Sequence, residues 1–396
     1  MKSISPHPVG NASLLKRLNR STVLGLLRHQ GGLSRKQLTE QTQLDGKTIT
    51  NITHDLLRLG MIRPVGMVSR GVGRPSEILE LHPGYGFALG IDLGASHIAA
   101  AAVDFTGSIA ARAQASIQYG LSPQTVLRRI IELGERIQNE LKGRRKRFLG
   151  TGVCVPGVVD CEAGIGIWAA NLAKWRNIPL RKTLEKFLPR PLFFEESTRC
   201  AALGEIFSRH RESMSNFLLL DISLGIGSAI MQNGRLYYGH SGMAGEIGHT
   251  TVNPGGELCR CGKRGCLETE ASGLAIARKY AKARESLPKK KSHPATAAEV
   301  ARVALSGDRI CETIFTGAAR MLGTAAANAV MLLNPAHLIL MGGLTRAGDL
   351  LLRPFRETLR LELPPEILES LTVEISPLGD DGGPLGAASL VINRIY

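Results

Sequence analysis

The chain has 396 residues, 43% of them hydrophobic and 21% charged, enough to bury two or three separate cores. No stretch stays apolar for the length of a membrane span, and the start, Met-Lys-Ser-Ile-Ser-Pro-His-Pro, lacks the apolar run of a signal peptide, so a membrane protein is excluded and a cytoplasmic one expected. The net charge is +15, and residues 1 to 80 alone hold four Lys and eight Arg against five acids, a local surplus that points to a polyanion, most simply nucleic acid.

Three short helices are predicted first. Arg20 to His29 carries Val23, Leu24 and Leu27 on one face and stops at Gly31-Gly32. Ser34 opens the second, with Gln37 at capping-box spacing and Leu38 inward. After a turn at Gln43 to Gly46, the third places Ile49, Ile52, Leu56 and Leu59 inward and ends at Gly60. Its other face collects Lys47, Thr50, Asn51, His54 and Arg58. Met61 to Val65 and Ile78 to Leu81 then read as strands flanking a basic tip, Ser69 to Pro75. The whole reads as a winged helix-turn-helix over residues 1–81. Lys47, Thr50, Asn51 and His54 are the candidate base-facing groups, and Arg58, Arg70 and Arg74 the candidate backbone contacts. A small protein-protein module with a solvated charged face is the alternative. Two further basic runs, Lys142 to Arg147 and Lys289 to Lys291, are expected to be solvated loops.

From Phe87 onward strands and helices alternate. Phe87 to Ser96 is a buried strand breaking into a glycine turn, and Ile98 to Asp104 returns as a second strand. A helix over Pro123 to Leu141 leads into the strand Phe148 to Val155, and Phe217 to Met231 forms another strand pair with glycines at 225 and 227. Two α/β lobes, each with a glycine-rich hairpin near its start, would enclose a cleft.

Three of the seven cysteines, Cys259, Cys261 and Cys266, fall within eight residues, separated by the turn glycines Gly262 and Gly265, with His249 ten residues upstream. Three thiolates and an imidazole are the donor set that structural Zn²⁺ favours. Unrelated thiols or a disulfide are the alternatives, and a Cys-x-Cys pair is badly placed to bridge itself. Cys154, Cys161, Cys200 and Cys311 are scattered and expected to act as small core residues.

Several motifs in one order carry a resemblance: Asp92-Leu-Gly94-Ala-Ser96, Val155-Pro-Gly157-Val-Val-Asp160, Asn171-Leu-Ala-Lys-Trp175, Ala244-Gly-Glu246-Ile-Gly-His249, the Cys259 to Glu268 run, and Gly379 to Gly386. Residues 82–396 resemble the ROK family of sugar kinases and sugar-responsive repressors, and the basic head places the likeness with the repressor branch, which includes xylose and N-acetylglucosamine repressors. The resemblance implies a two-lobed actin-like domain, with one lobe over about 82–198 plus the C-terminal end and the other over about 199–380. It also implies a sugar pocket. Asn171, Glu246, His249 and Glu268 match positions that hydrogen-bond sugar hydroxyls in relatives, with Gly157 on the wall and Glu196 and Ser197 opposite. His249 would give one ring nitrogen to zinc and the other to the ligand.

Family kinases carry Glu-Asn-Asp-Ala-Asn, whose Asp is the general base; this chain reads Glu195-Glu196-Ser197-Thr198-Arg199, so Ser197 stands in the base's place. Losing a positioned base costs about 10²- to 10⁴-fold. Asp92, Gly94, Ser96, Gly225, Gly342 and Gly343 remain as a vestigial nucleotide site, but Leu224 replaces a phosphate-facing hydroxyl. The expected function is therefore a non-enzymatic regulator, a repressor whose affinity for a double-stranded DNA operator is set by a sugar, acting as a homodimer or homotetramer. A sugar kinase with a DNA-binding extension and a repressor that has lost its effector are the rival readings.

Overall fold

The computed structural model describes residues 12–68, 75–118, 120–142, 147–208, 214–285 and 296–395. Arg70, Arg74 and most of the two basic runs at 142–147 and 289–291 lie outside the described residues. Among those described, no helix is long and apolar enough to cross a membrane.

The basic head folds as α1 (Ala12–Gln30), β1 (Leu33–Ser34), α2 (Arg35–Thr42), α3 (Gly46–Arg58), β2 (Ile62–Val68) and β3 (Ser76–Leu81). The capping box at Ser34 and Gln37 forms, and Asp45 caps α3 by accepting the Thr48 amide. Ile49, Ile52 and Leu56 are buried as expected, but Leu59 is 47% exposed. It lies beyond the last turn of α3, where helical spacing no longer fixes its direction. The short β1 carries no sequence signal of its own; it adds to β3, giving the sheet order β1-β3-β2.

The next unit runs β4 (Phe87–Leu93), β5 (His97–Asp104), β6 (Ile109–Ser116), α4 (Pro123–Leu141), β7 (Phe148–Val155), β8 (Val158–Asp160), β9 (Ile165–Trp168), β10 (Arg176–Pro179), α5 (Leu180–Leu184), β11 (Leu192–Glu196) and α6 (Ser197–Phe207). Its main sheet has the order β11-β7-β4-β5-β6. The last unit runs β12 (Phe217–Ile222), β13 (Ile226–Gln232), β14 (Arg235–Leu236), α7 (Leu267–Ala271), α8 (Gly273–Glu285), α9 (Ala297–Leu305), α10 (Arg309–Leu333), β15 (His337–Met341), α11 (Asp349–Glu362), α12 (Pro365–Ser370), β16 (Thr372–Ile375) and α13 (Gly382–Ile395). Its sheet order, β16-β15-β12-β13-β14, repeats the first with β12 in the place of β4. In both, the opening strand forms an antiparallel hairpin and takes a parallel neighbour on its other edge. Two copies of one topology therefore face each other, and the hairpin turns meet between them, where ligands of open α/β sheets sit.

The three largest apolar cores among the described residues hold these parts. One lies under the first large sheet and α4, one around α10 and α11. The third begins in the head with Val23, Leu24 and Leu27 and continues without a break into Val103, Phe105, Phe207 and Val391. Helix α13 closes the chain on the back of β4 and β7. A Cβ at Gly152 would lie 1.8 Å from the Ala387 carbonyl oxygen, and one at Gly386 1.7 Å from that of Cys200. Only glycine lets α13 lie this close to β7 and α6.

One expectation is overturned here. Cys154 on β7 and Cys200 on α6 are not separate thiols but a disulfide, both fully buried, with Cα atoms 6.1 Å apart. Packing of α6 on β7 creates that proximity across 46 residues, and no local spacing announces it. Cys311 is a buried core thiol as expected, and Cys161 is partly buried.

Candidate functional site

A cleft of about 1090 Å³ opens between the two large sheets. It is lined by every residue expected of the sugar and nucleotide sites: Gly157, Asn171, Glu196, Ser197, Glu246, His249 and Glu268, and Asp92, Gly94, Ser96, Gly225, Gly342 and Gly343. At one end the two lobes nearly touch. A side chain at Gly225 would meet Glu268 Oε2 at 2.5 Å and Asn171 Nδ2 at 2.9 Å, so its absence leaves room for both polar groups. Glu268 is aimed by the Ile226 amide, which donates to Oε2 at 3.1 Å. The Glu246 carboxylate is partly exposed and 3.9 Å from His249 Nε2. Amide, carboxylate and imidazole groups gathered around a concave space suit a polyol, because each can pair directionally with hydroxyls.

Glu196 belongs to the cleft but has a second duty. Its carboxylate caps α6, Oε1 accepting the Thr198 amide at 2.9 Å and Oε2 the Arg199 amide at 3.0 Å. A carboxylate keeps about two further lone-pair directions after this. Burial pushes Glu196 up to about 7 despite those amides. The Ser197 hydroxyl donates to the Leu93 carbonyl at 3.4 Å.

The opposite end is dominated by acids. Asp92, from the first hairpin, is pushed up to about 7 by burial and then by the charges of Asp221 and Glu196. Asp221, from the second hairpin, is also raised by burial, with Ser223 and His97 opposing. Sequence reading misses Asp221, since a lone Asp at a strand end carries no periodic signal. Its Oδ1 accepts the Ser223 hydroxyl at 2.5 Å, and Ser223 Oγ accepts the Gly343 amide at 3.4 Å. The turn is thus tied to itself. Gly342, at φ +96°, has no space for a Cβ, which would sit 2.3 Å from Asp221 Oδ1. No lysine lines the cleft among the described residues; Arg199, Arg302 and Arg346 do, with Arg199 paired to Glu195 at 3.3 Å and Arg346 to Asp380 at 2.7 Å.

Beside Glu196 a network built on the buried Glu195–Arg199 pair reaches the loop ahead of Glu246. Arg199 pairs with Glu195 at 3.3 Å, Tyr238 donates to Glu195 Oε2 at 2.7 Å, and Arg199 Nη2 donates to the Gly242 carbonyl at 2.6 Å. Tyr238 and Gly242 lie on the loop that leads to Glu246, so the network fixes the approach of that ligand candidate. Burial and the Glu195 charge hold the Tyr238 phenol well above its ordinary value and push Cys161 up to about 12. The links to Tyr238 and Gly242 are not legible from spacing, because those partners sit about forty residues from Glu195 and Arg199.

The metal-loop expectation is met in geometry. One ligand atom from each of His249, Cys259, Cys261 and Cys266 lies within 4.8 Å of all the others. The loop is folded by its own backbone: the Cys259 amide donates to Lys263 at 2.7 Å and the Gly265 amide to Glu257 at 2.9 Å. Gly262 and Gly265 take φ +93° and +66°. His249 Nδ1 faces Cys259 Sγ at 3.6 Å while Nε2 faces Glu246, dividing the ring between the thiols and the cleft. The set fits a soft, four-coordinate divalent cation. Burial and neighbouring thiols push Cys266 up to about 12 and burial raises Cys259, whereas Cys261 is lowered, so a bound cation would compensate the two buried thiols most.

In the head, Lys47, Thr50, Asn51, His54 and Arg58 are all exposed on α3, opposite the buried Ile49, Ile52 and Leu56. Asp45 at the cap and a 3.6 Å contact from Arg58 to Asp55 help order this face. Arg35 bonds Thr53 at 3.0 Å and Glu77 at 2.9 Å, locking α3 against the wing strand β3.

Comparison with known proteins agrees with this architecture. The chain is 29% identical to the xylose repressor of Caldicellulosiruptor bescii over 97% of its own length and 98% of that protein. A solved ROK family transcriptional regulator, a homolog of the Escherichia coli MLC protein, superposes with a TM-score of 0.81, 26% identity and 96% coverage of both chains. A ROK family glucokinase from Streptomyces griseus, solved with glucose and AMPPNP, covers 77% of this chain and 99% of its own, with a TM-score of 0.66 and 26% identity. The ROK family model itself matches residues 88–394, and the chain belongs to the ROK family.

Proposed function

We propose that the protein is a sugar-responsive transcriptional repressor without kinase activity. One observation supports the reading: a single chain joins a helix with an exposed polar and basic face to a cleft lined by Asn171, Glu246, His249 and Glu268 on one side and by Asp92, Ser197 and Leu224 on the other. The head, residues 1–81, would bind double-stranded DNA through Lys47, Thr50, Asn51 and His54, with Arg58, Arg70 and Arg74 on the backbone. Residues 82–396 would bind the sugar through Asn171, Glu246, His249 and Glu268, against Gly157, Glu196 and Ser197. Zn²⁺ held by His249, Cys259, Cys261 and Cys266 would supply a fixed positive centre that orients the His249 ring toward the cleft. Two or four copies would present paired heads to a two-fold operator in the cytoplasm.

The kinase alternative draws support from the likeness to the glucokinase, but it needs a base and a polyphosphate seat. Ser197 donates a hydrogen bond to the Leu93 carbonyl and is no base near neutral pH, and Leu224 stands where family kinases present a phosphate-facing hydroxyl. A duplex selected in vitro by the protein, titrated with and without a panel of pentoses, hexoses and amino sugars, tests the proposal. At least one sugar is expected to change duplex affinity by about 5- to 150-fold. Absence of any change, or sugar-dependent ATP turnover, would overturn the reading.

A further inference from the structure

Helices α6 and α13 each run from the cleft to the DNA head, and both end on the same side chain. α6 starts at the Glu196 cap and Ser197 in the cleft, and finishes about 16 Å away at Phe207. α13 starts at Gly382 and Gly383, against Asp92, and carries Asn393 near its end, about 17 Å on. The two are pressed together through Gly204 and Gly386, at separations that admit no side chain, so neither can move along its axis without the other.

At the far end stands Arg28, in the last turn of α1 and only 4% exposed. Its guanidinium lies 4.4 Å over the Phe207 ring, and Nη1 donates to Asn393 Oδ1 at 3.3 Å. Three helix C-termini, those of α1, α6 and α13, therefore converge on one cation. Each presents a partial negative charge from its unpaired carbonyls, which favours a buried positive group there. The planar guanidinium can stack on the ring and donate sideways at the same time, which an ammonium group cannot do as well. The surrounding apolar core, from Val23 to Val391, is continuous between head and body.

We infer that Arg28 is the positioning residue that seats the DNA-reading head on the sugar-sensing body. Building on the proposed function, sugar contacts at Glu196 and Ser197 shift the start of α6, the α6–α13 pair moves as one, and Arg28 re-seats α1. The head would then change orientation without any change in α3 itself.

The test uses the full chain and the variants Arg28→Lys, Arg28→Met and Asn393→Ala. Backbone hydrogen exchange over residues 25–30 is followed with affinity for the selected duplex, with and without D-glucose, D-xylose and N-acetylglucosamine. The variants should bind sugar within about twofold of wild type, exchange faster at 25–30, and lose most of the sugar-dependent change in duplex affinity, with Arg28→Lys keeping part of it. Wild-type exchange and coupling in Asn393→Ala and Arg28→Lys would overturn the assignment. Asn393 is exposed, so its variant carries the test if Arg28→Met fails to fold. If no sugar alters duplex affinity even in wild type, the proposed function fails. Exchange at 25–30 then decides the seating alone: faster in the variants supports it, unchanged refutes it.

Discussion

The two ends of the cleft are made of different materials. At the Asn171–Glu268 end, polar groups from both lobes converge and Glu268 is aimed by a backbone amide, with the Cys3His loop behind them. At the Asp92–Asp221 end, carboxylates face one another, Ser223 is tied to its own turn, and Arg346 is paired with Asp380. Binding a neutral polyol needs directional partners, whereas moving a phosphoryl group needs a base and positive charge besides. Under the proposed function, the contrast makes recognition and transfer separable within one cleft, with directional polar groups kept at one end and Ser197 and Leu224 standing at the positions that transfer would use.

This contrast can be broken most forcefully at the metal loop. Structural zinc in such sites contributes about 10 kcal/mol of binding free energy to local folding. Cys259→Ala should reduce metal content from about one equivalent per chain to near zero, by elemental analysis, and lower the melting temperature more than any other change considered. Retained metal at full stoichiometry would show that the donor set is wrong. A smaller effect is expected at the polyol end: Asn171→Ala should weaken sugar binding about 10- to 100-fold by calorimetry, since partners of a lost hydrogen bond are left unsatisfied. An unchanged affinity would remove Asn171 from the site.

The phosphate end sharpens the comparison by a null result. Ser197→Asp restores a carboxylate at the base position, yet sugar-dependent ATP turnover should stay at background in a coupled assay, because Asp221 and Leu224 still disfavour the polyphosphate. Turnover on the order of one per second would reduce the difference between the ends to a single residue.

The smallest effect lies in the pH dependence of stability. Burial raises Glu196 from 4.5 to about 7 in the folded chain. An acid raised on folding contributes stability that is fully present below about pH 4.5 and is lost as pH rises through about 7. Glu196→Gln, which keeps one capping oxygen, should flatten that decline in urea midpoints measured at pH 5 and pH 8. Parallel profiles for variant and wild type would contradict the buried-acid account.

Much of this architecture is legible in the amino-acid sequence. Periodicity locates α3, α4 and β7 but only the second half of α1, which begins at Ala12 rather than Arg20, because strongly apolar faces declare themselves within a dozen residues and the first turns of α1 lack one. The Cys259–Cys266 loop is readable because its ligands are close in sequence and its glycines mark the turns. The residues that the family motifs single out for the sugar and nucleotide sites all line the cleft, whereas Asp221, which also lines it, escapes them. What escapes depends on distant pairing. The Cys154–Cys200 disulfide, the Glu195–Arg199–Tyr238 network and the Arg28 junction each join segments that only the packed sheets and helices bring together. Glu196 reads in the sequence as a pocket group, and its role as the cap of α6 emerges only once the helix start is located. Leu59 follows the apolar spacing one step too far.

The difference between the two ends is tested most directly by calorimetric titration of the full chain with a panel of sugars and, separately, with magnesium and a non-hydrolysable ATP analogue. At least one sugar should bind at micromolar to low millimolar concentration, with no resolvable heat from the nucleotide. Tight nucleotide binding with no sugar bound would contradict the account.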